Sequence, residues 1–376
     1  MEQIQMVDLQ AQYKLLKTEM DSRLIACIES GGFIQGQEVK TFEAEFGKYL
    51  DNAHIISCAN GTDALQIALM ALDLQQGDEI IVPSFTFVAS IEVIALLGLK
   101  PIVVDVDART FLMKPEDIEA SLSPRTKAII PVHLFGQCVN MKALMAIAKV
   151  RELFIIEDNA QSIGAKCLTT GDQQKMAGTI GHIGCTSFYP SKNLGCYGDG
   201  GAIMTHDLPI AHQIRMVANH GMKRRYYHDV IGVNSRLDSI QAAVLNVKLP
   251  HLDTYNIARR KVADQYDERL KNTPGILTPQ RVTWSEHVFH QYTIRVLEGR
   301  RDELQTYLAN QMISSMIYYP VPMHEQAAFS KVVRRRVPLI NTERVSKEVL
   351  SLPIHPDLTL DQMDYICEKI TDFFKV

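Results

Sequence analysis

The chain has 376 residues, of which 46% are hydrophobic and 22% charged; this is ordinary globular usage and excludes a disordered, collagen-like or fibrous chain. At about 150 residues per domain, the length suits two domains or one large domain with an appendage. Lysine and arginine number 39 against 43 acidic residues, a formal net charge of −4, so no global positive field exists to gather nucleic acid or anionic membrane.

Met1 to Gln12 carries no basic head followed by an apolar stretch, so no cleaved export signal is expected and a cytoplasmic location fits. A helical N-terminal segment precedes an alternation that starts near residue 54. The runs His54 to Cys58, Glu79 to Pro83, Pro101 to Val106, Lys127 to Val132 and Leu153 to Glu157 are apolar on consecutive positions, as strands covered on both faces are. Between them Leu65, Ala68, Leu69 and Leu72 keep the spacing of one buried helical stripe, and Glu116 to Leu122 and Met141 to Val150 read as helices too. The longest apolar tract, Val93 to Val104, is broken by Gly98, Lys100 and Pro101 and falls short of the roughly 20 residues that span a bilayer. Turns are predicted at Gln76-Gly77-Asp78 and Ser123-Pro124.

After Asp207 long helical segments follow, Gln241 to Val247 and Ile257 to Leu270, until Asn272-Thr273-Pro274-Gly275 breaks the pattern. Beyond it a strand, Gln291 to Val296, and a helix, Arg301 to Asn310, read as an α+β appendage. The expected fold is α/β: residues 1–250 as a large domain with a mainly parallel central sheet flanked by helices, and residues 251–376 as a smaller C-terminal α+β domain. The seven cysteines are odd in number and their nearest pair is 11 residues apart, which supports neither a disulfide framework nor a Cys-x-x-Cys zinc site; no metal ligands are expected. Asn60-Gly61-Thr62 matches a glycosylation triplet, which without an export signal reads as turn chemistry.

Three segments carry chemistry. Ser187-Phe-Tyr-Pro-Ser-Lys192 runs from a strand-like stretch, Cys185 to Tyr189, into a glycine-dense turn ending at Gly201, the end of a sheet strand where α/β proteins place ligands. An amine buried there loses basicity and becomes a nucleophile toward carbonyls; alone, Lys192 reads as a solvated loop lysine, and the other segments change that reading. Glu157-Asp158 follows a buried strand, and two acids there demand a cationic partner, since unpaired buried charge is costly. A carboxylate facing a pyridine nitrogen would hold it protonated; alone, Asp158 also suits a helix N-cap. Cys58-Ala-Asn-Gly61-Thr62-Asp63 leads from a strand into a helix, where free amides and the helix dipole seat a phosphate, although Asn60-Gly61 is also an ordinary turn. Neither Gly-x-x-x-x-Gly-Lys-Ser/Thr nor a well-placed Gly-x-Gly-x-x-Gly is present.

In the order Thr62, Asp158, Lys192 these segments resemble a fold-type I pyridoxal-phosphate enzyme. Over nearly the whole chain the sequence is similar to the DegT/DnrJ/EryC1/StrS nucleotide-sugar aminotransferases, through Phe33 to Val39, Cys58 to Leu65, Pro83 to Phe87, Pro131 to Gln137, the Asp158 and Lys192 segments, and Gly232-Val-Asn-Ser-Arg-Leu-Asp238 followed by Gln241-Ala-Ala. The resemblance implies that pyridoxal 5'-phosphate is bound covalently by Lys192, which also shuttles the proton in each half-reaction. It implies that Asp158 pairs with the ring nitrogen and that Gln161 hydrogen-bonds the phenolic oxygen. Phe87 would stack on the ring, Gly61, Thr62 and Ser187 would hold the phosphate, and Asn234 would reach that phosphate from the neighbouring subunit of a homodimer. Arg236, with Tyr318 and Tyr319, would contact the nucleotide-sugar substrate, and L-glutamate would be the amino donor.

Within the family, Ser191-Lys-Asn-Leu-Gly-Cys-Tyr-Gly-Asp-Gly-Gly-Ala202, Arg225-Tyr-Tyr-His228 and Gly232 to Arg236 most resemble the enzymes that aminate C3 of UDP-2-acetamido-2-deoxy-3-oxo-glucuronate for surface polysaccharide. Those enzymes tend to read His-Tyr-Pro where this chain has Tyr318-Tyr319-Pro320. A dTDP-3-keto- or 4-keto-6-deoxyhexose aminotransferase would use the same catalytic residues. A catalytically silent protein binding cofactor or nucleotide sugar for regulation is the third class, weighed against by intact Lys192, Asp158, Gln161 and Ser187. His133, His220 and His228 read as structural loop histidines, and Lys331, Arg334, Arg335 and Arg336, without interleaved aromatics, as a solvated face.

Overall fold

The computed structural model describes residues 3–169, 171 and 173–375; the outer limits expected for the two domains, Met1 and Val376, lie outside them. Helices Leu9–Ser30 and Gln37–Tyr49 form the N-terminal segment. The apolar runs then become strands because their residues are covered on both faces: every residue of Glu79–Pro83 is buried, as are four of five in His54–Cys58 and in Phe154–Asp158. They enter an eight-stranded sheet in the order His54–Cys58, Gly201–Thr205, Ile183–Ser187, Phe154–Asp158, Thr126–Ile129, Glu79–Pro83, Lys100–Val104 and Arg334–Arg335. Pairing is parallel from Ile183–Ser187 outward to Arg334–Arg335, and Gly201–Thr205 alone runs against its neighbours. The carboxyl ends of parallel strands therefore meet on one edge, and ligands of open α/β sheets bind in the crevice outside those ends.

The bounds of one strand are corrected. The strand predicted over Cys185 to Tyr189 is Ile183–Ser187; the chain leaves the ladder where the Tyr189 amide donates to Ser187 Oγ at 3.2 Å. The four residues of the basic cluster are exposed, as a solvated face requires, and three of them also take partners. Arg334 and Arg335 form the edge strand beside Ile102 and Val103, and Arg336 donates from both terminal nitrogens to the Glu79 carboxylate, at 2.9 and 2.6 Å.

Past the helix Leu252–Leu270, which ends just before Asn272-Thr273-Pro274-Gly275, the chain forms an antiparallel sheet with Tyr292–Val296 between Ile276–Leu277 and Val349–Leu352. Helices Arg301–Asn310 and Leu360–Lys375 complete a second core around Tyr266, Tyr292, Leu350 and Ile366. Ile4 inserts into that core, its amide donating to Met312 O at 2.9 Å. Among the described residues no helix is long and apolar enough to cross a membrane.

Candidate active site

The strand His54–Cys58 feeds the helix Gly61–Met70, started by Asn60, whose Oδ1 accepts the Asp63 amide at 2.8 Å. Gly61 and Thr62 open this helix, so their amides have no acceptor within it and point off its positive end. A side chain at Gly61 would put its Cβ 2.7 Å from Ser187 Cβ, so glycine lets the helix start press against the end of the neighbouring strand. Ser187 closes Ile183–Ser187, and Lys192 stands in the turn beyond it, its backbone amide donating to Tyr189 O at 2.8 Å. That turn doubles back so tightly that a Cβ on Gly195 would lie 2.4 Å from Pro190 O. The turn is tied to its surroundings by Asn193 Nδ2, which donates to Asn256 Oδ1 at 2.7 Å and Val288 O at 3.1 Å.

Gly61, Thr62, Phe87, Asp158, Gln161, Ser187, Lys192, Tyr318 and Tyr319 line one cavity of about 740 Å³. Burial pushes the Lys192 amine down to about 8, opposed by the charge of Asp158. Asp158, 6% exposed, is pushed up by burial and held back by hydrogen bonds from Ser90 Oγ at 2.7 Å and the Ala160 amide at 3.2 Å. Ser90 is in turn 3.0 Å from Thr86 Oγ1. Its neighbour Glu157 points to the other face, as strand alternation requires. It takes amide hydrogens from Gly178 and Ile180 at 2.9 and 2.7 Å and lies 2.8 Å from His133 Nε2. The Val139 amide donates to His133 Nδ1 at 3.2 Å, so Nε2 carries the hydrogen given to Glu157. The cationic partner demanded by two adjacent acids is thus split: Glu157 has a sealed hydrogen-bond shell, and Asp158 keeps a free side toward the cavity.

Gln161 Oε1 accepts the Phe135 amide at 2.7 Å and Nε2 donates to Tyr319 Oη at 3.0 Å. Burial holds the Tyr319 hydroxyl far above its usual range, so it stays neutral. Phe87, half exposed, faces Tyr319 with ring centroids 6.0 Å apart. Asn234 and Arg236 do not line this cavity in their own chain: Asn234 bridges to Asn219, and Arg236 lines a separate cavity of about 620 Å³ with Glu43, Arg215 and Lys223. His133, His220 and His228 do not line the Lys192 cavity either.

Residues that the sequence reading missed also belong here. Ser90 holds Asp158 and Thr86 backs Ser90, but both sit in an otherwise apolar stretch, and a buried serine leaves no periodic trace. His290 lines the cavity, is 5% exposed, and has an Nδ1 without a partner among the described residues. Burial keeps it well below the usual histidine range, with the charges of Lys192 and Arg259 adding to that. Its only sequence signal was a position just before the strand Tyr292–Val296.

This donor set fits pyridoxal phosphate: helix-start amides with Thr62 and Ser187 for a phosphate, Phe87 for a ring face, a buried carboxylate for the ring nitrogen and a weakly basic amine for the aldehyde. A Geobacillus stearothermophilus protein named as a pleiotropic regulatory protein is 46% identical over 374 residues, 99% of each chain. The UDP-2-acetamido-2-deoxy-3-oxo-D-glucuronate aminotransferase of Pseudomonas aeruginosa is 42% identical over 98% of this chain and 100% of its own, and a dTDP-3-amino-3,4,6-trideoxy-alpha-D-glucose transaminase of Streptomyces venezuelae is 38% identical over 98% and 95%. Among solved structures, a DegT DnrJ EryC1 StrS aminotransferase from Brucella abortus superposes with a TM-score of 0.94 at 41% identity, over 99% of this chain and all of the other. NtdA of Bacillus subtilis, with bound cofactor PMP, superposes with a TM-score of 0.88 at 31% identity, over 96% and 82%. The family signature itself matches residues 14–371. With the cavity built as described, the chain belongs to the DegT/DnrJ/EryC1/StrS aminotransferase family and is a pyridoxal-phosphate-dependent nucleotide-sugar aminotransferase of fold type I.

Proposed function

We propose that the enzyme moves the amino group of L-glutamate to C3 of UDP-2-acetamido-2-deoxy-3-oxo-glucuronate, for surface polysaccharide synthesis in the cytoplasm. The observation that carries the catalytic part is the meeting of Lys192, Asp158, Gln161 and the Gly61–Thr62 helix start on one cavity. When bound, pyridoxal phosphate supplies the aldehyde and the electron-withdrawing ring. In this assignment the Asp158 carboxylate, steadied by Ser90 and Ala160, holds the proton at the ring nitrogen. Lys192 Nζ, with an affinity near 8, takes and returns the proton at the reacting carbon, since a base poised near working pH is the most effective. Gln161 Nε2 spends one hydrogen on Tyr319 and would offer its second to the phenolic oxygen, and Phe87 would back the ring. Residues 251–376 act as a small domain that brings Tyr318 and Tyr319 to the cavity wall, and residues 1–250 as the cofactor-binding domain.

The active unit in this reading is a homodimer, because Asn234 and Arg236 lie outside their own chain's cavity and so serve a second copy. Exposed apolar side chains fit such a contact: Leu15, Ile25, Ile28, Ile34 and Ile231 are 55–89% exposed, Leu15 at 74% and Ile231 at 89%, more than isolated surface residues require. Arg236 would supply the cation that the uronate carboxylate needs.

The UDP-uronate assignment rests on the Pseudomonas relative, and a UDP-N-acetyl-3-dehydro-alpha-D-glucosamine 3-aminotransferase at 42% identity points to the same carbon. The dTDP-sugar relative at 38% favours a second reading, a dTDP-3-keto- or 4-keto-6-deoxyhexose aminotransferase. Incubating the purified enzyme with L-glutamate and a panel of UDP- and dTDP-linked keto-sugars, and following amino-sugar and 2-oxoglutarate by mass, separates them. Turnover concentrated on the UDP-3-oxo-uronate is expected. A preference for a dTDP sugar overturns the substrate, and absence of any half-reaction with L-glutamate overturns the enzyme's proposed donor.

A further inference from the structure

Away from the cofactor cavity, on the far side of the segment Ser84–Phe87, one cluster of side chains has no role in the reaction described above. His324, Glu325 and Glu343 present three ligand atoms that all lie within 4.8 Å of one another, the sole such group among the described residues. His324 Nε2 is 3.8 Å from Glu325 Oε1 and 3.5 Å from Glu343 Oε1. It is buried, makes no hydrogen bond among the described residues, and belongs to a side chain only 10% exposed. The cluster borders a cavity of about 400 Å³ shared with Ser330 and Arg335.

We infer that His324, Glu325 and Glu343 form a binding site for a divalent cation of the zinc type. Zinc bonds imidazole nitrogen and carboxylate oxygen at about 2.0–2.2 Å, which sets the edges of its ligand tetrahedron at roughly 3.4 Å. The separations around Nε2 are close to that edge and longer than the 2.7–2.9 Å of a charge-assisted hydrogen bond. The other ring nitrogen is anchored as in a metal site: Nδ1 lies 2.8 Å from Ser84 Oγ, and with Nδ1 as the donor of that contact Nε2 carries the lone pair that ligates. The carboxylates belong to residues 52% and 42% exposed, so they can close by a few tenths of an ångström, and the cavity leaves room for a water as fourth ligand. Arg335 Nη1 stands 3.6 Å from the same Glu343 oxygen and, being 58% exposed, is free to swing into solvent. The site would join the turn at His324 and Glu325 to the helix Ile340–Glu348, and through His324 to Ser84. The Met323 amide donates to Ser84 O at 3.0 Å, and Ser84 begins the segment that ends at Phe87 on the cofactor cavity, so a bound ion would stiffen that wall without touching the reacting atoms.

The test uses untagged, full-length holoenzyme stripped with a chelator and titrated with zinc chloride by calorimetry, with thermal unfolding followed in parallel. One zinc per chain is expected, together with a rise in melting temperature. Glu343→Gln, at a half-exposed helix position, and Glu325→Gln should each weaken zinc binding at least tenfold and remove the zinc-dependent rise while the cofactor stays bound. Binding that is unsaturated at millimolar zinc, or equal in wild type and both variants, overturns the inference.

Discussion

Two lysines of lowered basicity, Lys192 at the cavity wall and the fully buried Lys248, contrast the amine proposed to react with a structural one. Burial pushes both down to about 8. Lys248 is 1% exposed, donates to Gly195 O at 2.8 Å and lies 4.3 Å from the centre of the Tyr197 ring, so its hydrogens and its charge are spent on holding the Lys192 turn. Lys192 borders a cavity and faces a carboxylate with a free side. Adjacent acids repeat the contrast: Glu157 is surrounded by donors and Asp158 only half so. A shifted basicity reports burial; reachable space and complementary groups turn it into chemistry.

Breaking the contrast on the reactive side should have the largest effect. Lys192→Ala is expected to lower kcat by about four orders of magnitude or more with the fold retained by circular dichroism, whereas Lys248→Met should stay within about tenfold of wild type. The acids come next. Asp158→Asn should slow the glutamate half-reaction, read as loss of the cofactor's visible absorbance, by about 100-fold with little change in urea midpoint, while Glu157→Gln should cost stability on the order of 3 kcal/mol by leaving donors in its sealed shell unmatched. Equal effects of the two changes on rate and stability would erase the distinction.

Lys248 sharpens the comparison through pH. The unfolded side chain keeps its proton to about 10.5 and the folded one only to about 8. Between these values the unfolded state binds more protons, so the Lys248 contribution to stability rises with pH; below about 8 its full cost, about 3 kcal/mol, is present. Urea unfolding of wild type against Lys248→Met should therefore show wild type gaining on the variant across that window, and a constant difference would mean that burial does not lower the basicity of Lys248. The smallest effect belongs to Ser90→Ala. Removing one donor from Asp158 should cost about tenfold in the half-reaction, near 1.4 kcal/mol, and leave the urea midpoint almost unchanged.

Much of this was legible in the chain. The strands at His54–Cys58 and Glu79–Pro83 and the helix Arg301–Asn310 fall where the apolar runs and turn residues put them, because burial on both faces writes itself into consecutive apolar positions. Arg334–Arg335 escaped, since an edge strand of two charged residues owes its existence to a partner strand more than two hundred residues away and not to its own composition. His290, Ser90 and Thr86 escaped for a related reason: their importance lies in what they face.

The sequence by itself determined the alternation of strands and helices, the break at Asn272 to Gly275, and the three segments around Thr62, Asp158 and Lys192, since periodicity, turn chemistry and motif spacing are local properties. Only the tertiary structure decided that Asp158 and not Glu157 opens toward Lys192, that Gln161 is shared with Tyr319, and that Asn234 and Arg236 stand outside their own chain's cavity. Those outcomes depend on which strand ends lie side by side in the sheet and which backbone donors are already taken there, and no stretch of the chain carries that information alone.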